Sequence, residues 1–177
     1  MKMFVALVAL VALVALSWSL PVSAGSIYSV YTKLTDCKTI QVFQESGASI
    51  KRCPGVAGHH LLVEDDDDRQ SVTIVAPDGK RHPLRYWDVI TGAFSNLGEK
   101  AEWRVMGTGK AMRPIALIVR VQAHENPDAP SERTSYLAVA KVAGGKICVT
   151  HRVANSRKAN EEARRVADVS AGAACLD

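Results

Sequence analysis

The side chains best equipped for chemistry stand together in GHHLLVEDDDDRQSV at 58–72, where two adjacent imidazoles precede five consecutive carboxylates. Imidazoles suit transition metals and carboxylates suit hard cations. A strand sends neighbouring side chains to opposite faces, so His59 and His60 do not reach one ion together. His82, His124 and His151 stand singly, and no HxH or HExxH spacing occurs. Calcium is the better metal candidate, held by Asp65 with Asp67 or by Asp66 with Asp68. The tract lacks the turn glycine and the closing glutamate of an EF-hand loop, and Arg69 beside it acts as an internal counter-ion. The expectation is a solvated, self-repelling hairpin tip, with calcium ligation by Asp65, Asp66, Asp67 and Asp68 as its alternative.

Other reactive patterns fall short. MGTGKAM at 106–112 imitates a phosphate loop, but Arg104 replaces its first glycine and Ala111 replaces the magnesium-binding hydroxyl. Neither GxSxG nor SxxK occurs. HENPD at 124–128 collects His124, Glu125 and Asp128, yet Pro127 and Pro130 make it a loop and not a helical metal face. No catalytic, cofactor-binding or zinc-ligating set is recognisable.

These residues sit in a chain that begins MKMFVALVALVALVALSWSLPVSA, with one early cation, a short apolar run and a small-residue ending at Ala24. That is the grammar of a cleaved secretory signal over 1–24, leaving one globular domain over 25–177 with no integral membrane span. Export to the periplasm or beyond turns Cys37, Cys53, Cys148 and Cys175 into candidates for two disulfides. Three connectivities exist. Cys37–Cys53 and Cys148–Cys175 are favoured because each pair closes a local unit, and each closure stabilises by about 3 kcal/mol in the chain-entropy description. Neither pair has CxxC spacing, so the cysteines read as staples.

The elements that position the candidates follow from periodicity. Strands are expected at 26–34, 39–43, 48–53, over HHLLVE and over SVTIVA, with PDGK (77–80) as a turn. Leu84, Trp87, Thr91 and Phe94 recur at helical spacing, which predicts a short middle helix weakened by Gly92. AEWRVM alternates; PIALIVRVQAH is apolar on both faces, as a central strand is. TSYLAVAKV and KICVTHRV flank AGGK, a hairpin. The last element is a helix capped by Asn160, with Glu161 and Glu162 in its first turn. Ala159, Ala163, Val166, Ala167, Ser170 and Ala174 line one face, and Glu161–Arg165 and Arg164–Asp168 form i,i+4 pairs outside. The expected class is α+β: an antiparallel sheet with a C-terminal α-helix packed on one face and a short middle helix.

The formal charge of +4, reduced by one when Lys2 leaves with the signal, is too modest for a nucleic-acid binder. Charge is uneven, however. Glu64–Asp68 is acidic, while Lys80, Arg81 and Arg85, then Arg104, Lys110, Arg113 and Arg120, then HRVANSRK (151–158) are basic. Such groups fit an anionic partner: lipid headgroup phosphates, an anionic glycan or an acidic protein surface. Trp87 and Trp103 are expected in the core.

LTDCKTI, CPGVAG, EDDDDRQSV, AEWRV, PIALIVRV, KICV and ANEEARRVAD ending in AACLD, in that order from about Tyr31 to Cys175, resemble a group of small exported proteobacterial proteins of uncharacterised function. The resemblance implies a periplasmic location and one domain, and carries no activity, substrate or site residue. The sequence thus reads as an exported, disulfide-stapled, non-enzymatic binding module for an envelope component or protein. The alternative is a hydrolase or metal-dependent enzyme whose site assembles from distant residues.

Overall fold

The computed structural model describes residues 25–129 and 131–177. The expected signal over 1–24 lies outside the described residues. Ten strands and two α-helices follow in order: β1 (Ile27–Lys33), β2 (Lys38–Val42), β3 (Ser49–Cys53), β4 (His60–Asp66), β5 (Arg69–Val75), β6 (Arg81–Pro83), α1 (Tyr86–Val89), β7 (Ser95–Met106), β8 (Arg113–Ala123), β9 (Thr134–Lys141), β10 (Cys148–Ala154) and α2 (Ala159–Asp168). The sheet runs β10-β9-β8-β7-β5-β4-β3-β2, with β1 on β7 and β6 on β5. Every pairing is antiparallel except one parallel bridge, Arg69 to Ser95.

That bridge is a seam. The β2–β6 half folds over the β1, β7–β10 half, and their inner faces share one core. Leu61, Val63, Val72 and Ile74 meet Trp103, Val105, Leu117 and Val119, all buried. The alternation of β4 and β5 selects these residues, since cross-strand partners share a face. PIALIVRV needs apolar side chains on both faces because its other face receives α2. There Ala116, Ile118, Leu137, Val139 and Val153 pack on Ala159, Ala163, Val166 and Ala167. Small helix side chains permit this close approach.

The described residues are therefore mostly antiparallel β, with one substantial helix among them, and more β-rich than the expected α+β balance. The C-terminal helix and both disulfides, Cys37–Cys53 and Cys148–Cys175, are as expected. The first ties the β1–β2 connection to the end of β3; the second ties the chain beyond α2 to β10. The expected middle helix shrinks to four residues. Phe94 lies outside it and is exposed, because Gly92 and the Arg69–Ser95 bridge draw the chain into β7. Trp87 is only half-buried, whereas Trp103 is fully buried and donates through Nε1 to Thr32 Oγ1 at 3.0 Å. Asn160 lies inside α2, which starts without a side-chain cap; its Oδ1 accepts from Arg120 at 3.2 Å instead. Ser170 is buried on the expected face, but Ala174 is exposed beyond the helix.

Charges fix α2 in register. Arg104 on β7 donates to both carboxylate oxygens of Asp168, at 2.7 and 2.9 Å, and Arg164 donates to both of Glu102, at 2.6 and 3.2 Å. The two helix residues expected to pair with each other are thus held by the sheet. Hydrogen bonding to Glu102 holds the Arg164 guanidinium protonated still more firmly than usual, against a smaller opposing effect of burial.

Candidate functional site

The two histidines of the opening motif part as strand geometry requires. His59, whose Nδ1 lies 3.3 Å from the Val56 carbonyl, turns its ring toward Trp103, with ring centroids 6.1 Å apart. His60 faces outward. Gly55 makes this turn possible, since a Cβ there would stand 2.3 Å from the His59 carbonyl oxygen.

The acidic tract forms the β4–β5 hairpin tip. Asp67 and Asp68 both take positive φ, 51° and 55°, the geometry of a tight two-residue connection that aspartate tolerates. Its carboxylates engage neighbours of the protein: Asp67 accepts from Arg69 at 2.6 Å, Asp65 from Gln70 at 2.9 Å and Glu64 from Thr73 at 2.8 Å. Among the described residues no three His, Cys, Asp or Glu side chains approach closely enough to hold a metal ion.

His60 belongs to a different constellation. It pairs across the sheet with Val75, which pairs with Arg81, so His60 and Arg81 share the outer face of β4–β6. Leu62, two residues along that face, pairs with Arg52, and Arg52 pairs with Lys38. Direct cross-strand neighbours stand about 5 Å apart and diagonal ones about 7–8 Å. One sheet face thus carries Lys38, Arg52, His60 and Arg81, contributed by four different strands. Among the described residues Lys38, Arg52 and Arg81 make no ion pair. The nearby carboxylate on this face, Glu64, is taken up by Thr73. Burial, then Arg52, Arg81 and His59, push the His60 imidazole below its ordinary pKa. It stands neutral at neutral pH, and an anion settling between the guanidiniums would raise it again.

The basic groups that the sequence singled out divide. Lys80 pairs with Asp78 at 3.0 Å, Arg85 with Asp88 at 3.3 Å and Arg104 with Asp168 at 2.7 Å, whereas Arg81 joins the open face. Lys38 and Arg52 were not singled out. Hairpin registers through TIQVF and ASIKRC were the signal that could have found them.

Glu125 of HENPD is built into the other end of the molecule. It accepts from Thr91 Oγ1 at 2.9 Å and from Tyr136 Oη at 2.8 Å, and Arg152 lies over the Tyr136 ring at 5.2 Å. Burial raises the Glu125 pKa, but hydrogen bonds from Tyr136, Thr91 and Thr134, with the charge of Arg152, outweigh that and hold it below the ordinary value. His124 Nδ1 lies 2.8 Å from Arg133. His151 enters an open groove of about 460 Å³ that Asp88, Glu162 and Asp177 also line. MGTGKAM is the β7–β8 connection, with positive φ at Gly107 and Gly109.

Among the described residues no helix is long and apolar enough to cross a membrane. Compared with models of protein families, with curated proteins and with solved structures, the chain matches none.

Proposed function

We propose that the chain is an exported, non-enzymatic binding module of the bacterial envelope, and that its ligand carries phosphate. Two disulfides in a chain with a secretory leader support the export reading, as does the resemblance to small exported proteobacterial proteins. The observation that carries the ligand class is the sheet face that carries Lys38, Arg52 and Arg81, with Arg52 and Arg81 on either side of His60 and, among the described residues, no ion pair to any of the three. Guanidiniums match phosphate geometry in pairs, and a rigid sheet holds them apart at little entropic cost. His60 would act as a reporter more than as an anchor.

The test is co-sedimentation of residues 25–177 with phosphatidylglycerol vesicles, phosphatidylcholine vesicles and soluble polyphosphate, at about 0.1 M salt. Binding to an anionic vesicle or to polyphosphate, lost in Arg52→Ser/Arg81→Ser and accompanied by a rise of the His60 pKa in proton NMR, supports the reading. The two anionic arms distinguish a headgroup from free phosphate. Retention undiminished by the double substitution, or no retention of any anionic probe, refutes it.

A further inference from the structure

The groove beside His151 is more than a gap between elements. Its floor is the outer edge of β10, the last strand of the sheet, which among the described residues pairs with β9 alone. The edge already receives an extended segment at its start. The Leu176 amide donates to the Val149 carbonyl at 2.8 Å, and Cys175 is tied covalently to Cys148. Among the described residues no further backbone bond reaches 150–154 from that side. An unpaired strand edge is a template for another strand.

The walls say what kind of strand. Val89 of α1, Val153 of β10 and Val166 of α2 supply its apolar lining, and the volume of about 460 Å³ lies within the roughly 300–1,000 Å³ of ordinary ligand clefts. Beside Thr150, His151 and Arg152, the polar lining carries three carboxylates. Asp88 comes from α1, Glu162 from α2 and Asp177 from the segment beyond Cys175. Among the described residues Glu162 and Asp177 make no ion pair, and Asp88 has only the exposed Arg85. The one guanidinium there, Arg152, is turned to the Ile90 carbonyl at 2.8 Å and to Tyr136.

We propose that this groove binds an extended polypeptide, with lysine or arginine at alternate positions, which adds to β10 as a strand between α1 and α2. Main-chain hydrogen bonds to residues 150–154 hold it, and the three carboxylates select its charge. The proposal is independent of the cationic face, which lies on β2–β6.

The probe is a short labelled peptide of alternating lysine and valine, titrated into residues 25–177 by fluorescence anisotropy. Its comparators carry glutamate in place of lysine or proline in place of one central valine. The expected result is micromolar binding, weakened about tenfold or more by either comparator and by Glu162→Lys in the protein. Hydrogen exchange of the bound protein slows at residues 150–154. Equal binding of the glutamate peptide, protection at the exposed strand β2 instead of β10, or no binding up to about 1 mM overturns the proposal.

Discussion

Asp168→Asn tests how α2 is held. The Arg104 side chain is 10% exposed and that of Asp168 28%, and the pair is bidentate. Breaking a buried pair by removing one partner costs about 3–5 kcal/mol. Two features reduce that here. Asp168 is partly open to water, and Glu102 stands 3.9 Å from Arg104 as a residual counter-ion. A loss of about 2–3 kcal/mol remains. The substitution also removes a negative charge from a helix C-terminus, which returns about 0.3–1 kcal/mol. The net expectation is about 2 kcal/mol of destabilisation, read as a lower urea midpoint with unchanged slope, using the fluorescence of the buried Trp103 with both disulfides intact. In an Arg104→Met background only the dipole effect survives, so the same substitution becomes neutral or slightly stabilising. A double-mutant cycle reads this change of sign directly. If Asp168→Asn lies within about 0.5 kcal/mol of the parent, or acts alike in both backgrounds, the ion pair does not hold the helix.

Three further expectations rest on separate features. Tyr86 is fully buried, and its hydroxyl is the one buried side-chain polar atom among the described residues without a partner, so Tyr86→Phe leaves stability unchanged or raises it by about 1 kcal/mol in urea unfolding. Gly144 takes φ +84°, and a Cβ there would stand 2.5 Å from the Ala171 carbonyl oxygen, so Gly144→Ala lowers the melting temperature more than Gly145→Ala, whose Cβ meets nothing within 4 Å. Glu125 holds its proton more weakly in the folded chain than at the ordinary value of 4.5. Its stabilising contribution is therefore complete above that value and is lost as pH falls through the lower folded value. Glu125→Gln accordingly flattens the decline of melting temperature from about pH 6 to about pH 3, and an identical acid limb contradicts the assignment.

Features set by neighbouring residues were legible without coordinates. The short apolar runs on either side of the acidic tract mark β4 and β5, the two-sided apolarity of PIALIVRV marks the central β8, and alanine spacing marks the buried face of α2. The two disulfides followed for the same reason, because each closes a local unit. The first half of β7 was not legible. SNLGEK carries no apolar alternation, and the register slips between Leu97 and Ala101, so its strand character comes from Gln70, Asp68 and β8 rather than from its own side chains. The middle helix failed in the opposite way, with helical spacing overruled by the glycine and by pairing at Ser95.

By itself, then, the sequence decided which residues are strand, turn or helix wherever hydrophobic period and turn chemistry agree, and which cysteines close short loops. Only tertiary structure decided which charges are spent and which are open. Arg104 and Arg81 look alike along the chain, yet one is locked to a helix residue 64 positions away and the other, without an ion pair among the described residues, shares a sheet face with Arg52. The reason is physical: local periodicity reports the face on which a side chain lies, whereas its counter-ion depends on which distant strand or helix folds over that face.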